Sequence, residues 1–379
     1  MKSVLVLGAG FGGIAAALEA RRRLGTASRI TLVDEGASFR MGLGNLWLLD
    51  GRRRPGEGGR PLHGLSARGI DVVRGRVEAI NPAGKSAVVA GHTLAADALV
   101  IALGARLAPE ATPGFGHARN LYDEAGAAAL GGDLARLEGG TVLVQVCGLP
   151  FRCPPAPYEA ALLAAGVLRR RGIKAEVHLA TPEPHPLPVA PPEVGARLLP
   201  LLEAAGVRYH PGCKPRRIGP GEVEWEEGGR LAFDLLAGVP VHKAPAAVEA
   251  CGLAGPSGFI PADPATLRTK ADGVYAVGDV CAIPLPNGKL LPKAGTLAES
   301  QGHAAAAHLA ATLLGQPAQP FDGHGTCFIE TGDGKAIPAA GDFYATPQPR
   351  FTFQDASAEG LRLKERFEAE RLRDWFGAA

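Results

Sequence analysis

Ser3–Leu7 (SVLVL) is an unbroken apolar run, the pattern of a strand buried on both faces of a parallel sheet. Gly8–Gly13 (GAGFGG) follows, then an alanine-rich helix from Ile14 to about Leu24, then a strand over Ile30–Val33 that ends at Asp34. Asp71–Val100 reads as short strands and closes in the apolar run Ala98–Leu103, before Gly104. A second unit opens with a strand over Thr141–Val146 (TVLVQV), continues in a helix over Tyr158–Arg171 and reaches a strand over Lys174–Leu179. The proline-rich stretch 182–192 is a loop, and Pro191–Ala205 is predicted as the next helix. From about Phe233 the chain is apolar and turn-punctuated again, passes Gly273–Asp279 (GVYAVGD) and enters a helix predicted over Leu297–Leu314. A last helix is predicted over Leu361–Phe376. Alternating strands and helices of this kind predict an α/β fold with two Rossmann-like units. The expected division is a discontinuous first unit (1–105 and 236–315), a second unit (106–235) and a C-terminal interface segment (316–379).

A length of 379 residues, 46% of them apolar, suits two or three domains. No apolar run approaches the roughly 18 residues of a membrane-spanning helix. Forty basic against 38 acidic residues leave a net charge of +2, which gives no footprint for nucleic acid. The first strand starts at Ser3 with no room for a secretory signal before it, so the expected compartment is the cytoplasm. The basic loop 51–60 (GRRRPGEGGR) reads as a solvated surface excursion. Six cysteines (147, 153, 213, 251, 281 and 327) are too few and too scattered for a disulfide scaffold, and a CxxC pair is missing. The ten histidines form no HxxH or HxxxH pair, so no metal site is expected.

Candidate chemistry begins at Gly8-x-Gly10-x-x-Gly13. Placed between a buried strand and a helix, Gly8 permits a tight turn, Gly10 a close approach of a pyrophosphate, and Gly13 close helix–strand packing. Asp34, 21 residues past Gly13, is positioned to accept ribose hydroxyl bonds. Thr269–Asp279, with Gly278 and Asp279 at its end, resembles the second FAD signature of the pyridine-nucleotide–disulfide reductase superfamily. Ala102-x-Gly104 resembles the short middle motif of the same superfamily. The resemblance implies FAD. A second glycine loop, which NAD(P)H-using relatives carry, is lacking: strand Thr141–Val146 runs into Cys147-Gly148-Leu149-Pro150-Phe151-Arg152-Cys153-Pro154-Pro155. Proline has no N–H to offer a phosphate there.

The segment Pro150–Glu159 (PFRCPPAPYE) resembles the active-cysteine segment of the flavoprotein subunit of flavocytochrome c sulfide dehydrogenase, a relative of the sulfide:quinone oxidoreductases. The likeness extends to Gly278–Cys281, to Leu291–Gly295 with Gln301-Gly302, and to Thr326–Phe328 with Glu330–Gly332. It implies that Cys153 and Cys327, 174 residues apart, form a redox disulfide beside the flavin. Hydrosulfide would open that disulfide, leaving a persulfide and a thiolate whose electrons pass to FAD and on to quinone. By the same likeness Glu159 is an acid/base carboxylate, Arg152 and Lys293 supply positive charge, and Lys293 with the helix starting near Thr296 faces the flavin. Cys147 is a candidate sulfur relay, Cys281 fits packing or the site, and Cys213 and Cys251 read as core. Met41 stands where the flavocytochrome subunit has the cysteine that carries its covalent flavin bond, so FAD is expected to be non-covalent. Other readings stay open: donation to a cytochrome c instead of quinone, a type II NADH:quinone reductase, and a flavin electron-transfer or sensor protein without turnover. The tail helix, with Leu361, Leu372, Trp375 and Phe376 on one face and five basic against four acidic residues, suits peripheral contact with the inner face of the membrane, packing on the flavin unit, or a homodimer contact.

Overall fold

The apolar runs become the centres of two five-stranded parallel sheets in the computed structural model, which describes residues 1–377. The first half of the chain forms β1 (Ser3–Leu7), α1 (Phe11–Leu24), β2 (Arg29–Asp34), β3 (Asp71–Arg74) and β4 (Ala98–Ile101). The second unit contributes β5 (Gly140–Val146), α2 (Ala156–Arg170), β6 (Ala175–Ala180), β7 (Val207–His210) and β8 (Leu235–Val239). Then come β9 (Val274–Ala276), α3 (Gly295–Leu314), β10 (His324–Glu330), β11 (Ala336–Asp342), β12 (Arg350–Phe353) and α4 (Ala358–Phe376).

The first sheet has the order β9-β4-β1-β2-β3 and is parallel throughout, with Val4 opposite both Ile30 and Ala98. Strand β9 reaches this sheet from beyond the second unit, so the first unit is discontinuous. The second sheet places β8-β5-β6-β7 in parallel, with the two-residue strand Arg119–Asn120 on the β8 edge. β10, β11 and β12 form an antiparallel sheet that carries the C-terminal segment.

Three expectations change. The helix predicted over Pro191–Ala205 is two short helices, Pro192–Ala196 and Leu198–Ala204. Pro200 lacks the N–H that would bond back to Ala196, so the helical ladder is interrupted there. The basic loop 51–60 is not a free excursion. Arg52 is ion-paired with Asp50 and Glu330, and Arg53 with Glu368, because carboxylates buried under the C-terminal segment need cations. The tail helix buries Leu372 and Trp375 in the first core, where Trp375 meets Phe11 and Phe39 edge-on at 5.6 and 5.2 Å. Lys364 and Glu368, not Leu361, share that buried stripe. Among the described residues no helix is long and apolar enough to cross a membrane, and no three His, Cys, Asp or Glu side chains converge to hold a metal ion.

Candidate active site

One cavity of about 1290 Å³ runs from the glycine turn of the first unit to the cysteine loop of the second. At one end, Gly8 sits at φ +102° and a Cβ there would lie 2.3 Å from the carbonyl oxygen of Ala102. A Cβ on Gly13 would lie 1.8 Å from the carbonyl oxygen of Gly8, so helix α1 meets the turn with no room for a side chain. Gly10 has nothing within 4 Å of a built Cβ and is left bare toward the cavity. The Asp34 carboxylate accepts the Ala9 and Gly36 N–H groups, each at 2.7 Å, which fixes it beside the turn. Ala102 and Gly104 line the same space beyond β4. Gly278 and Asp279 line its middle, where burial raises the Asp279 carboxyl despite the nearby charges of Lys293 and Arg152. The N-terminal turn of α3 faces the cavity with the free N–H groups of Gly295, Thr296 and Leu297, while the Ala298 N–H closes the turn on the Ala294 carbonyl at 2.9 Å.

Cys153 and Cys327 line the same cavity, and both pack against the second core. Two devices bring them there. Cys153 adopts φ +51°, a left-handed conformation unusual for cysteine, while its N–H donates to the Lys293 carbonyl at 2.6 Å. Helix α2, which follows it, packs on the turn after β10 so closely that a Cβ on Gly166 would lie 2.0 Å from the Gly332 carbonyl oxygen. That contact holds the strand of Cys327 against the helix that follows Cys153. All six cysteines are free thiols. Burial pushes the Cys153 thiol up to about 11, with the Glu159 charge adding to it and Lys364, the Ala156 N–H and Arg152 pulling the other way. Cys327 is also raised well above the usual thiol value, by burial first and then by the charges of Cys153 and Glu159, with Lys364 opposing.

Glu159 lines the cavity from the first turn of α2 and is buried. It is not a free carboxyl. Lys364, 205 residues later on α4, donates to Glu159 and, at 2.8 Å, to Glu330. Glu330 also accepts the Trp47 indole N–H at 2.7 Å and an Arg52 N–H. Burial raises Glu159 above the usual carboxylate range although Lys364 opposes it. Burial would raise Glu330 too, but Lys364 and Arg52 outweigh it and hold that carboxyl low. The sequence reading missed Lys364; its signal was a lysine set in the Gly360–Leu372–Trp375 stripe that faces inward. It also missed Tyr122, whose hydroxyl donates to the Arg152 carbonyl at 2.8 Å beneath the cysteine loop, and Glu183 in the cavity wall.

Other candidates lie elsewhere. The Lys293 ammonium does not line the large cavity: it lies over the Phe259 ring at 3.5 Å and donates to the Asp279 and Cys281 carbonyls. A buried amine takes such partners because burial penalises its charge, and in this position it braces the Asp279 turn. Cys147 is buried in a third cluster and Cys281 in the first core, and neither lines the large cavity. Cys213 and Cys251, expected in the core, are only half-buried.

The comparisons with known proteins agree with this frame. Residues 2–308 match the family described as pyridine nucleotide-disulphide oxidoreductase. The chain belongs to that family. A curated relative, the mitochondrial sulfide:quinone oxidoreductase of Mus musculus, is 24% identical over 384 residues, 95% of this chain and 82% of that protein. The sulfide:quinone oxidoreductase structure from the hyperthermophilic bacterium Aquifex aeolicus superposes with a TM-score of 0.86 at 22% identity, over 99% of this chain and 92% of that one. A NAD-dependent persulfide reductase from A. fulgidus superposes with a TM-score of 0.69 at 21% identity, over 89% of this chain and 64% of that one.

As a pyridine nucleotide-disulphide oxidoreductase the chain is an FAD-dependent oxidoreductase, and its residues fit the cofactor. The bare Gly10 backbone and the α1 N-terminus suit the pyrophosphate, Asp34 the ribose, and Asp279 with the α3 N-terminus the flavin half. Met41 is buried in the first core and does not line the cavity. Gly13→Ala should therefore lower both flavin content and melting temperature. Purified G13A protein with the full flavin absorbance of the wild type would contradict this packing.

Proposed function

We propose that this oxidoreductase oxidises sulfide through Cys153 and Cys327 and passes the electrons through FAD to a quinone. The observation that carries the reading is the lining of one cavity by both cysteines together with Gly278, Asp279 and the α3 N-terminus. In the oxidised enzyme the two sulfurs share a disulfide. Hydrosulfide attacks one sulfur, the S–S bond breaks, and the products are a persulfide on one cysteine and a thiolate on the other. Bound FAD supplies the two-electron acceptor for that thiolate's electron pair. The protein's part is to make the thiolate tolerable in an apolar place: Arg152, Lys364 and the Ala156 N–H all act on Cys153 in that sense. The Glu159–Lys364 pair keeps a proton-exchanging carboxyl beside both sulfurs.

A quinone is favoured over a cytochrome as acceptor by Phe328, Phe343, Phe351, Phe353 and Phe367, which give the cavity an aromatic wall on the Cys327 side. NADH is disfavoured as donor by Pro150 and Phe151, which occupy the turn after β5 where a pyrophosphate would need bare backbone. Anaerobic mixing tests the reading. Sulfide should bleach the flavin absorbance within seconds and NADH should not; decylubiquinone should then restore the oxidised spectrum faster than cytochrome c does. Bleaching by NADH but not by sulfide would overturn it.

A further inference from the structure

We propose that Glu183 takes the proton from the sulfur substrate and hands it outward along Tyr158 and Tyr209, a role that rests on the sulfide reading above. Three neighbouring parallel strands end together on one side of the second sheet, with Gln145 paired to Ala180 and Ala180 to His210. β5 runs into the Cys153 loop, β6 into Thr181 and Glu183, and β7 carries Tyr209. Loops beyond the carboxyl ends of parallel strands are where such sheets bind their ligands. Tyr158 comes from the first turn of α2, the crossover between β5 and β6.

Glu183 is buried yet lines the large cavity with Cys153. Its Oε2 accepts the Tyr158 hydroxyl at 2.8 Å and the Thr181 hydroxyl at 3.4 Å. The Tyr158 and Tyr209 hydroxyl oxygens lie 3.4 Å apart. Tyr158 is fully buried and Tyr209 half-buried, so the hydroxyls form a file from the cavity wall toward the edge of the molecule. The titratable groups around Glu183 are Tyr158 on α2, Tyr209 on β7 with Cys213 beyond it, and Tyr122 on the cysteine-loop side. Among the described residues none of its hydrogen bonds comes from a lysine, arginine or histidine. Glu159, by contrast, is clamped by Lys364. With no cation to oppose it, burial pushes the Glu183 carboxyl up to about 7. Unlike Glu159, whose proton exchange is tied to its Lys364 ion pair, Glu183 meets only hydroxyl partners through which a proton can move.

The step balances. Hydrogen sulfide gives its proton to the Glu183 carboxylate and becomes hydrosulfide, which attacks the Cys153–Cys327 disulfide to give a persulfide and a thiolate. Glu183 then returns to carboxylate as its proton moves to the Tyr158 oxygen, the Tyr158 proton to Tyr209, and the Tyr209 proton to solvent.

The test is anaerobic stopped-flow reduction of the FAD-loaded enzyme by sulfide across pH, for the wild type, Glu183→Gln and Tyr158→Phe. Near neutral pH, E183Q should reduce its flavin roughly 100-fold more slowly than the wild type. The deficit should shrink at alkaline pH, where hydrosulfide arrives already deprotonated, and Y158F should follow the same trend less steeply. A deficit equal at every pH, or none, overturns the relay alone. A wild-type flavin that sulfide leaves unreduced overturns the sulfide reading and the relay with it. Melting supplies a readout independent of turnover. A carboxyl raised from 4.5 to about 7 stabilises the fold fully below 4.5, and that contribution is lost as pH rises through about 7. Wild-type melting temperature should fall across that window more than that of E183Q; parallel curves would show that Glu183 does not titrate there and would also overturn the relay.

Discussion

Cys153→Ser and Cys327→Ser should each slow sulfide-driven flavin reduction by roughly a thousandfold or more while the protein still purifies with FAD. The size of the effect follows from the chemistry: a serine hydroxyl can neither form the disulfide that sulfide attacks nor carry the electron pair that its opening releases. Retention of FAD follows from the geometry, since the glycine turn, Asp34 and Asp279 all lie on other elements. The burial that raises both thiols sharpens the point. A site that resists thiolate formation at rest keeps its sulfurs from reacting at random and leaves ionisation to the moment the disulfide opens. Stopped-flow absorbance at the flavin band measures the rate, and the spectrum of the purified variants measures occupancy. Either variant reducing its flavin at the wild-type rate would remove that cysteine from the mechanism.

Lys364→Met should cost about 3–5 kcal/mol of stability, the scale for breaking a buried ion pair from one side. Lys364 is buried and bonds two buried carboxylates, Glu159 and Glu330. Methionine fills a similar volume but leaves Glu159 without its cation, whereas Glu330 keeps Arg52 and Trp47. Glu159, already raised by burial, moves up further once Lys364 is gone. A raised carboxyl stabilises the fold below its unfolded value and loses that contribution as pH rises through its folded value. The deficit of K364M should therefore be smaller in mildly acidic buffer and larger in alkaline buffer. Denaturant midpoints across that range check it; a deficit independent of pH would mean that Glu159 does not depend on Lys364.

Much of this was legible because its causes are local. Ser3–Leu7, Ala98–Ile101 and Thr141–Val146 are short apolar runs, and a strand covered on both faces needs little else. The glycines of the turn are constrained by neighbours a few residues away, so their spacing alone shows where a phosphate can approach. The paired cysteines were visible only through family likeness, because nothing in the spacing of residues 174 apart brings them together. The charged network was not legible. Arg52, Arg53, Lys364 and Glu368 each look like surface residues in their own segments, and the likeness that marked Glu159 and Glu330 gave no hint of their shared lysine. Only the docking of α4 by Trp375 buries them together, and only burial makes their pairing necessary. Lys293 misled for the opposite reason. Its neighbours Pro292 and Ala294 do line the cavity, but the side chain turns toward carbonyls and the Phe259 face.

The central claim, that sulfur is handed to Cys153 or Cys327, is most directly tested by peptide mass mapping. Oxidised enzyme would be mixed anaerobically with one equivalent of sulfide, quenched with an alkylating agent and digested. The account predicts one added sulfur atom on the peptide carrying Cys153 or the one carrying Cys327, in step with flavin reduction. Added sulfur on the Cys147 or Cys281 peptide instead, or reduced flavin with no sulfur on either active-site peptide, would contradict it.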